Sequence, residues 1–256
     1  VSGKNHNNII YGRHPIIELV RLASQRIFKL LITESAYKDL KDELNKIPAN
    51  SIQLCSVKEL DHISSNKTHQ GCLAYIKEKT SIGLTTLLNN YQSKDTSLLI
   101  LLDRIEDPHN LGAILRVAEC FAADGVIVTE RRQAPLSEVA VKSSAGASHL
   151  VNLVKVTNLN QALESVKEAH YWSVATVCND LVKEKNNSQI KKIEDAFQFD
   201  FPKRCCLIFG NEGDGISHLL LCKADFLVTI TMSGRIDSLN VSQSAAIFTS
   251  LYRARI

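Results

Sequence analysis

From Leu98 onward, short continuous apolar runs alternate with segments of helical spacing, and this alternation constrains the fold more than any other feature of the chain. Leu98-Leu99-Ile100-Leu101-Leu102 offers no polar residue to either side of a pleat. A strand of that kind must be covered on both faces, which happens in parallel sheets flanked by helices. Further strands are expected over residues 126–129, 153–156, 172–177, 206–209 and 226–230. Helices are expected over 112–122, 136–145, 159–168, about 217–222 and 241–253. Residues 178–202 are polar and charged, and read as a surface excursion around one short element. The expected class is α/β, with a mostly parallel sheet and helices on both faces.

The leading part of the chain has a different texture. Residues 9–77 read as a small α/β domain. It has helices over 15–22, 38–46 and 57–63, and strands over 27–32, 52–55 and 72–76. Residues 78–97 are polar at both ends and read as a linker with one helical piece at 84–91. Residues 98–256 form the larger domain. The opening eight residues are polar and lack a signal-peptide core, so a tail is expected there. With 256 residues and 45% hydrophobic content the chain can bury more than one core.

Charge is informative by its distribution. The net charge is only +3, but residues 1–80 carry 12 Lys or Arg against 8 Asp or Glu, and the remainder 18 against 19. The basic excess thus lies in the leading part, where a polyanion could dock or where it could simply be solvated. Seven cysteines are scattered without a CxxC or a Cys/His cluster, which fits a reducing cytoplasmic setting and no metal site. No apolar run approaches the ~20 residues needed to cross a bilayer, so no membrane role is expected.

Three polar loops each follow a strand-like run. The first, 103–110, leads into Leu111-Gly112-Ala113-Ile114-Leu115-Arg116. Asn110 is placed to cap the helix, and Arg116, six residues on, need not share its face. Arg116 could grip a phosphate bidentately or be a surface residue. The second loop, Gly210-Asn211-Glu212-Gly213-Asp214-Gly215, can wrap tightly around a ligand or be a simple turn. Its glycine order, GxxGxG, is not the dinucleotide GxGxxG, and no GxxxxGK[ST] is present. The third loop, 233–240, carries Gly234, Arg235 and Asp237 and ends in Ser238-Leu239-Asn240-Val241-Ser242. Ser238 and Asn240 could orient a hydroxyl, cap the next helix, or do both. Nothing resembles HExxH or a serine-hydrolase nucleophile elbow.

The ordered trio 110–118, 209–213 and 238–242 resembles the SpoU/TrmH group of SPOUT RNA methyltransferases over residues 98–255. Tyr11-Gly12-Arg13-His14-Pro15 and His69-Gln70-Gly71 resemble the two ends of the small L30e-like RNA-binding domain of the rRNA-modifying members. The resemblance is closest to enzymes that 2′-O-methylate a guanosine of large-subunit rRNA. It implies a trefoil-knotted SPOUT domain, S-adenosyl-L-methionine as cofactor, RNA as substrate and a homodimer. It places Asn110, Arg116, Glu212, Ser238 and Asn240 on catalytic positions, and Gly210, Ile230 and Leu239 on cofactor positions. One departure is Ile230-Thr231-Met232, where similar members have Ile-Pro-Met; Thr231 restores a backbone donor and frees φ. The alternatives are a tRNA ribose methyltransferase, a non-catalytic RNA-binding or ribosome-assembly protein, and a dinucleotide-dependent oxidoreductase, which the glycine order disfavours.

Overall fold

The computed structural model describes residues 8–65, 68–77, 82–178, 192–236 and 238–256. Asp237, most of the expected tail, part of the expected linker and much of the 178–202 excursion lie outside the described residues. The chain divides into two compact units, Val1–Thr80 and Ser81–Ile256.

In the first unit the sheet order is β1 (Asn8–Tyr11), β4 (Cys72–Ile76), β2 (Ile27–Ile32), β3 (Ile52–Leu54), and only β2 and β3 run parallel. Helices α1 (Arg13–Ala23), α2 (Glu34–Leu40) and α3 (Val57–Ser64) accompany it. A capping box fixes the start of α3: Glu59 N–H donates to Ser56 Oγ, and Ser56 N–H to Glu59 Oε2. The helix expected over 38–46 is instead α2 followed by a 3-10 turn, Glu43–Lys46. Thr33 Oγ1 accepts Ala36 N–H and starts α2 early. Pro48 pushes Ile47 to an extended conformation and ends the turn. Strand β1, hidden in sequence beside the polar tail, pairs in full with β4.

The second unit holds a seven-stranded sheet in the order β7 (Leu153–Val156), β6 (Gly125–Thr129), β5 (Ser97–Asp103), β10 (Arg204–Gly210), β8 (Trp172–Val177), β11 (Phe226–Thr229), β9 (Ile193–Asp195). Every neighbouring pair is parallel. β10 enters between β5 and β8, so the sheet is not wound in chain order. Alternate residues serve opposite cores, as a doubly covered strand requires. Leu98, Ile100 and Leu102 join α5 (Pro108–Cys120) and α9 (Val241–Arg255), whereas Leu99 and Leu101 join α4 (Leu84–Asn90), α7 (Leu159–Glu168) and α8 (His218–Lys223). α6 (Glu138–Ser143) lies against α5.

One expectation needs correcting here. The helical piece assigned to a linker is α4, and it belongs to the second core: Leu87 is fully buried and fills the space that a side chain at Gly125 would need. In the described part of 178–202, Ile193–Asp195 forms β9, which pairs with β11 at the end of the sheet order. Its three half-buried residues carry too little apolar pattern to announce a strand.

Candidate functional site

The three loops meet at the C-terminal ends of β5, β10 and β11, where a parallel α/β sheet gathers its ligands. Asn110 lies in the first turn of α5 and is 7% exposed. It does not cap that helix. Asp107 does, accepting His109 N–H at 2.8 Å, and Pro108 follows at the first helical position, where its missing N–H costs nothing. Freed from capping, the Asn110 amide reaches across: its Nδ2 donates to Glu212 Oε1, and its Oδ1 accepts Asn240 Nδ2 at 3.0 Å. Asn240 in turn caps α9, its Oδ1 accepting Ser242 N–H at 2.8 Å and Ser242 Oγ at 2.6 Å. The capping and bridging uses of Asn240 thus coexist in one side chain.

The result is a directed chain, Ser242 to Asn240 to Asn110 to Glu212, ending on a carboxylate. Each carboxamide nitrogen carries two N–H bonds and spends one. Asn110 and Asn240 therefore each keep one N–H bond without a partner among the described residues.

Glu212 sits in a turn with little freedom. Asn211 and Gly215 exchange backbone hydrogen bonds of 3.1 and 2.9 Å, and Gly213 N–H donates to Asn211 Oδ1 at 2.7 Å. A Cβ on Gly210 would lie 2.2 Å from the Gly215 carbonyl carbon, so no other residue fits there without moving the turn. Gly215 has a φ of +67°, which glycine adopts at low cost.

Between β11 and α9, Ile230 is buried at 7% and Leu239 packs against the core that β5 shares with α5 and α9. Among the described residues, neither has a backbone hydrogen-bond partner. Their side chains are held while their peptide groups stay available. Thr231, the departure from the usual proline, donates its hydroxyl to Asp195 Oδ2, so a side-chain tether stands where a ring would restrict the backbone. Ser238 is exposed at the same loop end and has no hydrogen bond among the described residues.

Arg116 stands apart from this group. It is exposed on α5, one heptad from His109, and so shares the face of His109 and Gly112 rather than that of Asn110. That face meets α6: His109 Nδ1 lies 3.1 Å from Ser143 Oγ, and a Cβ on Gly112 would come within 2.4 Å of the Ala140 carbonyl oxygen. Arg116 has no hydrogen bond or ion pair among the described residues, and Glu212 holds Asn110 instead of Arg116.

Residues with no assigned role in the sequence reading also shape the site. Asp103, 4% exposed at the end of β5, accepts Ser217 N–H at 2.7 Å. Arg104 bonds to Asp103, Asp214 and the Gly215 carbonyl. A polar pair directly after a five-residue apolar run was the available signal; its partners, more than a hundred residues away, were not.

In the first unit, the two strings with family character converge. Arg13 N–H donates to Gln70 Oε1 at 3.0 Å, and Arg13 Nε to the Gln70 carbonyl at 3.1 Å. Gly71 N–H donates to His69 Nδ1, which leaves His69 Nε2–H to donate to Asp61 at 2.9 Å. Among the described residues, no three His, Cys, Asp or Glu gather as a metal site, and no helix is long and apolar enough to cross a membrane.

Known proteins resemble the chain over both units. Residues 97–250 match the SpoU rRNA Methylase family, and residues 9–81 match the family of RNA 2′-O ribose methyltransferase substrate-binding regions. A Staphylococcus saprophyticus protein named for the TrmH family of tRNA/rRNA methyltransferases is 34% identical over 244 residues, which is 93% of this chain and 92% of that one. An AdoMet-bound rRNA methyltransferase from Sinorhizobium meliloti superposes with a TM-score of 0.72 at 21% identity, covering 97% of this chain and 87% of that one. A TrmH/SpoU tRNA-modifying enzyme of A. aeolicus aligns with a TM-score of 0.53 at 24% identity, over 67% of this chain and 81% of its own. The fold, the ordered loops and these matches together place the chain in the SpoU/TrmH family of RNA methyltransferases.

Proposed function

We propose that the protein transfers a methyl group from S-adenosyl-L-methionine to the 2′-oxygen of a ribose in large-subunit rRNA, at a guanosine. The hydrogen-bonded chain joining Asn240, Asn110 and Glu212 from three loops is the observation that carries this reading. When bound, the cofactor supplies a methyl group on a sulfonium centre, whose thioether leaves readily. The chain fits such a group in character: Gly210, Ile230 and Leu239 would hold it through peptide groups and an apolar wall, since Ile230 and Leu239 keep their backbone groups unpaired.

The remaining work falls to side chains. Asn240 and Ser238 orient the 2′-hydroxyl, and the spare N–H donors of the carboxamide pair favour negative charge on the 2′-oxygen as its O–CH3 bond forms and its proton is released to bulk water. Glu212 holds Asn110 in the rotamer that supports Asn240. Arg116, whose guanidinium has no partner among the described residues, grips a phosphate of the target strand. Alignment of this kind can contribute several kcal/mol to the barrier reduction.

The first unit supports an rRNA target over a tRNA target. It matches a substrate-binding region of RNA 2′-O ribose methyltransferases, and the A. aeolicus tRNA-modifying enzyme covers only two thirds of this chain. The unit would receive folded RNA and present an unpaired guanosine. Homodimer formation and a cytoplasmic location are part of the same reading. The test is incubation with labelled S-adenosyl-L-methionine and unmodified large-subunit rRNA, then mapping of the product. A single ribose-methylated guanosine in that rRNA is expected. Label entering tRNA, or a base, or no RNA at all, would refute the proposal.

A further inference from the structure

Arg104 occupies a backbone position that an arginine adopts at a cost. Its φ is +60°, in the left-handed region that glycine enters freely and L side chains enter rarely. The residue is not idle there. Nε donates to Asp103 Oδ1 at 3.2 Å, one terminal nitrogen to Asp214 Oδ2 at 3.3 Å, and the other to the Gly215 carbonyl at 3.4 Å. Its own carbonyl accepts Asn211 Nδ2 at 3.0 Å. Asp103, held from one side by Arg104, takes Ser217 N–H with its second oxygen.

The segment from Asn211 to Ser217 is thus fastened to the end of β5 at Asn211, Asp214, Gly215 and Ser217. Glu212 lies inside that span, and its side chain is exposed apart from its bond to Asn110. Nothing else among the described side chains holds Glu212 in place. Among the described residues, the guanidinium ties the second half of the turn to the strand end that feeds α5, beside the Asn211 amide, which ties Gly213 to the Arg104 carbonyl.

We propose that Arg104 is a positioning residue. It clamps the turn of Glu212 against β5, so that Glu212 meets Asn110 and the donor pair Asn110–Asn240 keeps its orientation. The left-handed backbone aims the guanidinium at the turn, and the bonds it forms offset the strain. This inference rests on the methyl-transfer reading of the same site and adds a residue to it.

Arg104→Gly separates strain from clamping, because glycine relieves the backbone and removes the guanidinium. The expected result is a melting temperature equal to or above that of the parent protein. Methyl transfer should fall about ten- to a hundredfold in kcat, with the KM for RNA changing less than about twofold. Backbone amide exchange at Gly213, Gly215 and Ser217 should accelerate. Arg104→Lys, with one point donor in place of a fork, should recover only part of the loss.

An Arg104→Gly protein with parental kcat and parental amide protection in the turn would overturn the proposal. So would a drop in melting temperature with exchange rising across the whole sheet, which would mark a general structural role. The reading of the site can fail separately. If the parent protein methylates no RNA, that reading falls, and amide exchange at the three positions alone decides whether the clamp exists.

Discussion

Arg116 and Asn110 lie on different faces of α5, and the phosphate-gripping role proposed for Arg116 has a consequence for substitution. Arg116→Lys keeps the charge but loses the planar fork, so labelled-methyl transfer should fall at least tenfold. Stability should stay within about 0.5 kcal/mol, because the side chain is exposed and unpaired; near-normal turnover would remove Arg116 from the mechanism. Thiol chemistry gives a second prediction at this scale. Burial pushes the Cys206 thiol up to about 12, and raises Cys205 and Cys72 as well. Cys120, Cys178 and Cys222 are exposed. A thiol reagent at pH 8 should therefore label the exposed three in the native protein, and Cys72, Cys205 and Cys206 only after unfolding. Fast native labelling of the vicinal pair, followed by mass spectrometry, would show that β10 opens readily. Cys206 opens the strand expected over 206–209, so its burial was legible in that apolar run. The separation of Arg116 from Asn110 was legible only as spacing, since six residues leave the neighbouring elements undetermined.

Among the elements, α5 packs closely on α6 at Gly112. A methyl group at Gly112 would overlap the Ala140 carbonyl oxygen and come within 2.6 Å of Ser143 Cβ. Gly112→Ala should destabilise the protein by about 1–3 kcal/mol in urea titration, the usual cost of overpacking. It should also tilt the first turn of α5 and disturb Asn110. The joint between α7, β8 and the residues after α8 makes a pH-dependent contribution. Burial pushes the Asp225 carboxyl up, but hydrogen bonds from Lys167 Nζ and from Ser173 Oγ and N–H outweigh it and hold the pKa below the ordinary value. A depressed carboxyl binds fewer protons folded than unfolded, so its stabilisation is present above the unfolded pKa and is lost as pH falls through the folded one. Asp225→Asn should be less stable than the parent protein at pH 7, and the gap should close toward pH 3. An equal gap at both values would mean that the carboxylate's charge is irrelevant there. Helix starts were readable where a capping residue precedes an apolar stripe, as at Asn158 and Ser56. The start of α5 was misplaced because Asn110 looks like a cap and Asp107-Pro108 supplies a better one.

For the whole molecule, each unit carries its own buried core, so the units should be separable. A protein of residues 81–256 should bind S-adenosyl-L-methionine with calorimetric affinity close to that of the full chain. Its affinity for rRNA should fall, with a shallower dependence on salt, because the basic excess of residues 1–80 is gone and fewer phosphate contacts form. Full-strength rRNA methylation by that fragment would exclude the first unit from substrate recognition. Most strands and helices of residues 98–256 were written in the sequence, because short apolar runs bounded by turns read there as strands covered on both sides, whereas β1 and β9 were not announced. The three loops were also visible there, since polar residues and glycines stand at the ends of those runs. Which of them touch was decided by tertiary structure. β10 enters the sheet beside β5 after a hundred residues of intervening chain, and only that neighbourhood brings Glu212 to Asn110 and Arg104 to Gly215. Local pattern reports how a residue is buried within its own element. It carries no information about which distant strand end supplies the partner for a side-chain amide, because that is set by the packing of the assembled sheet.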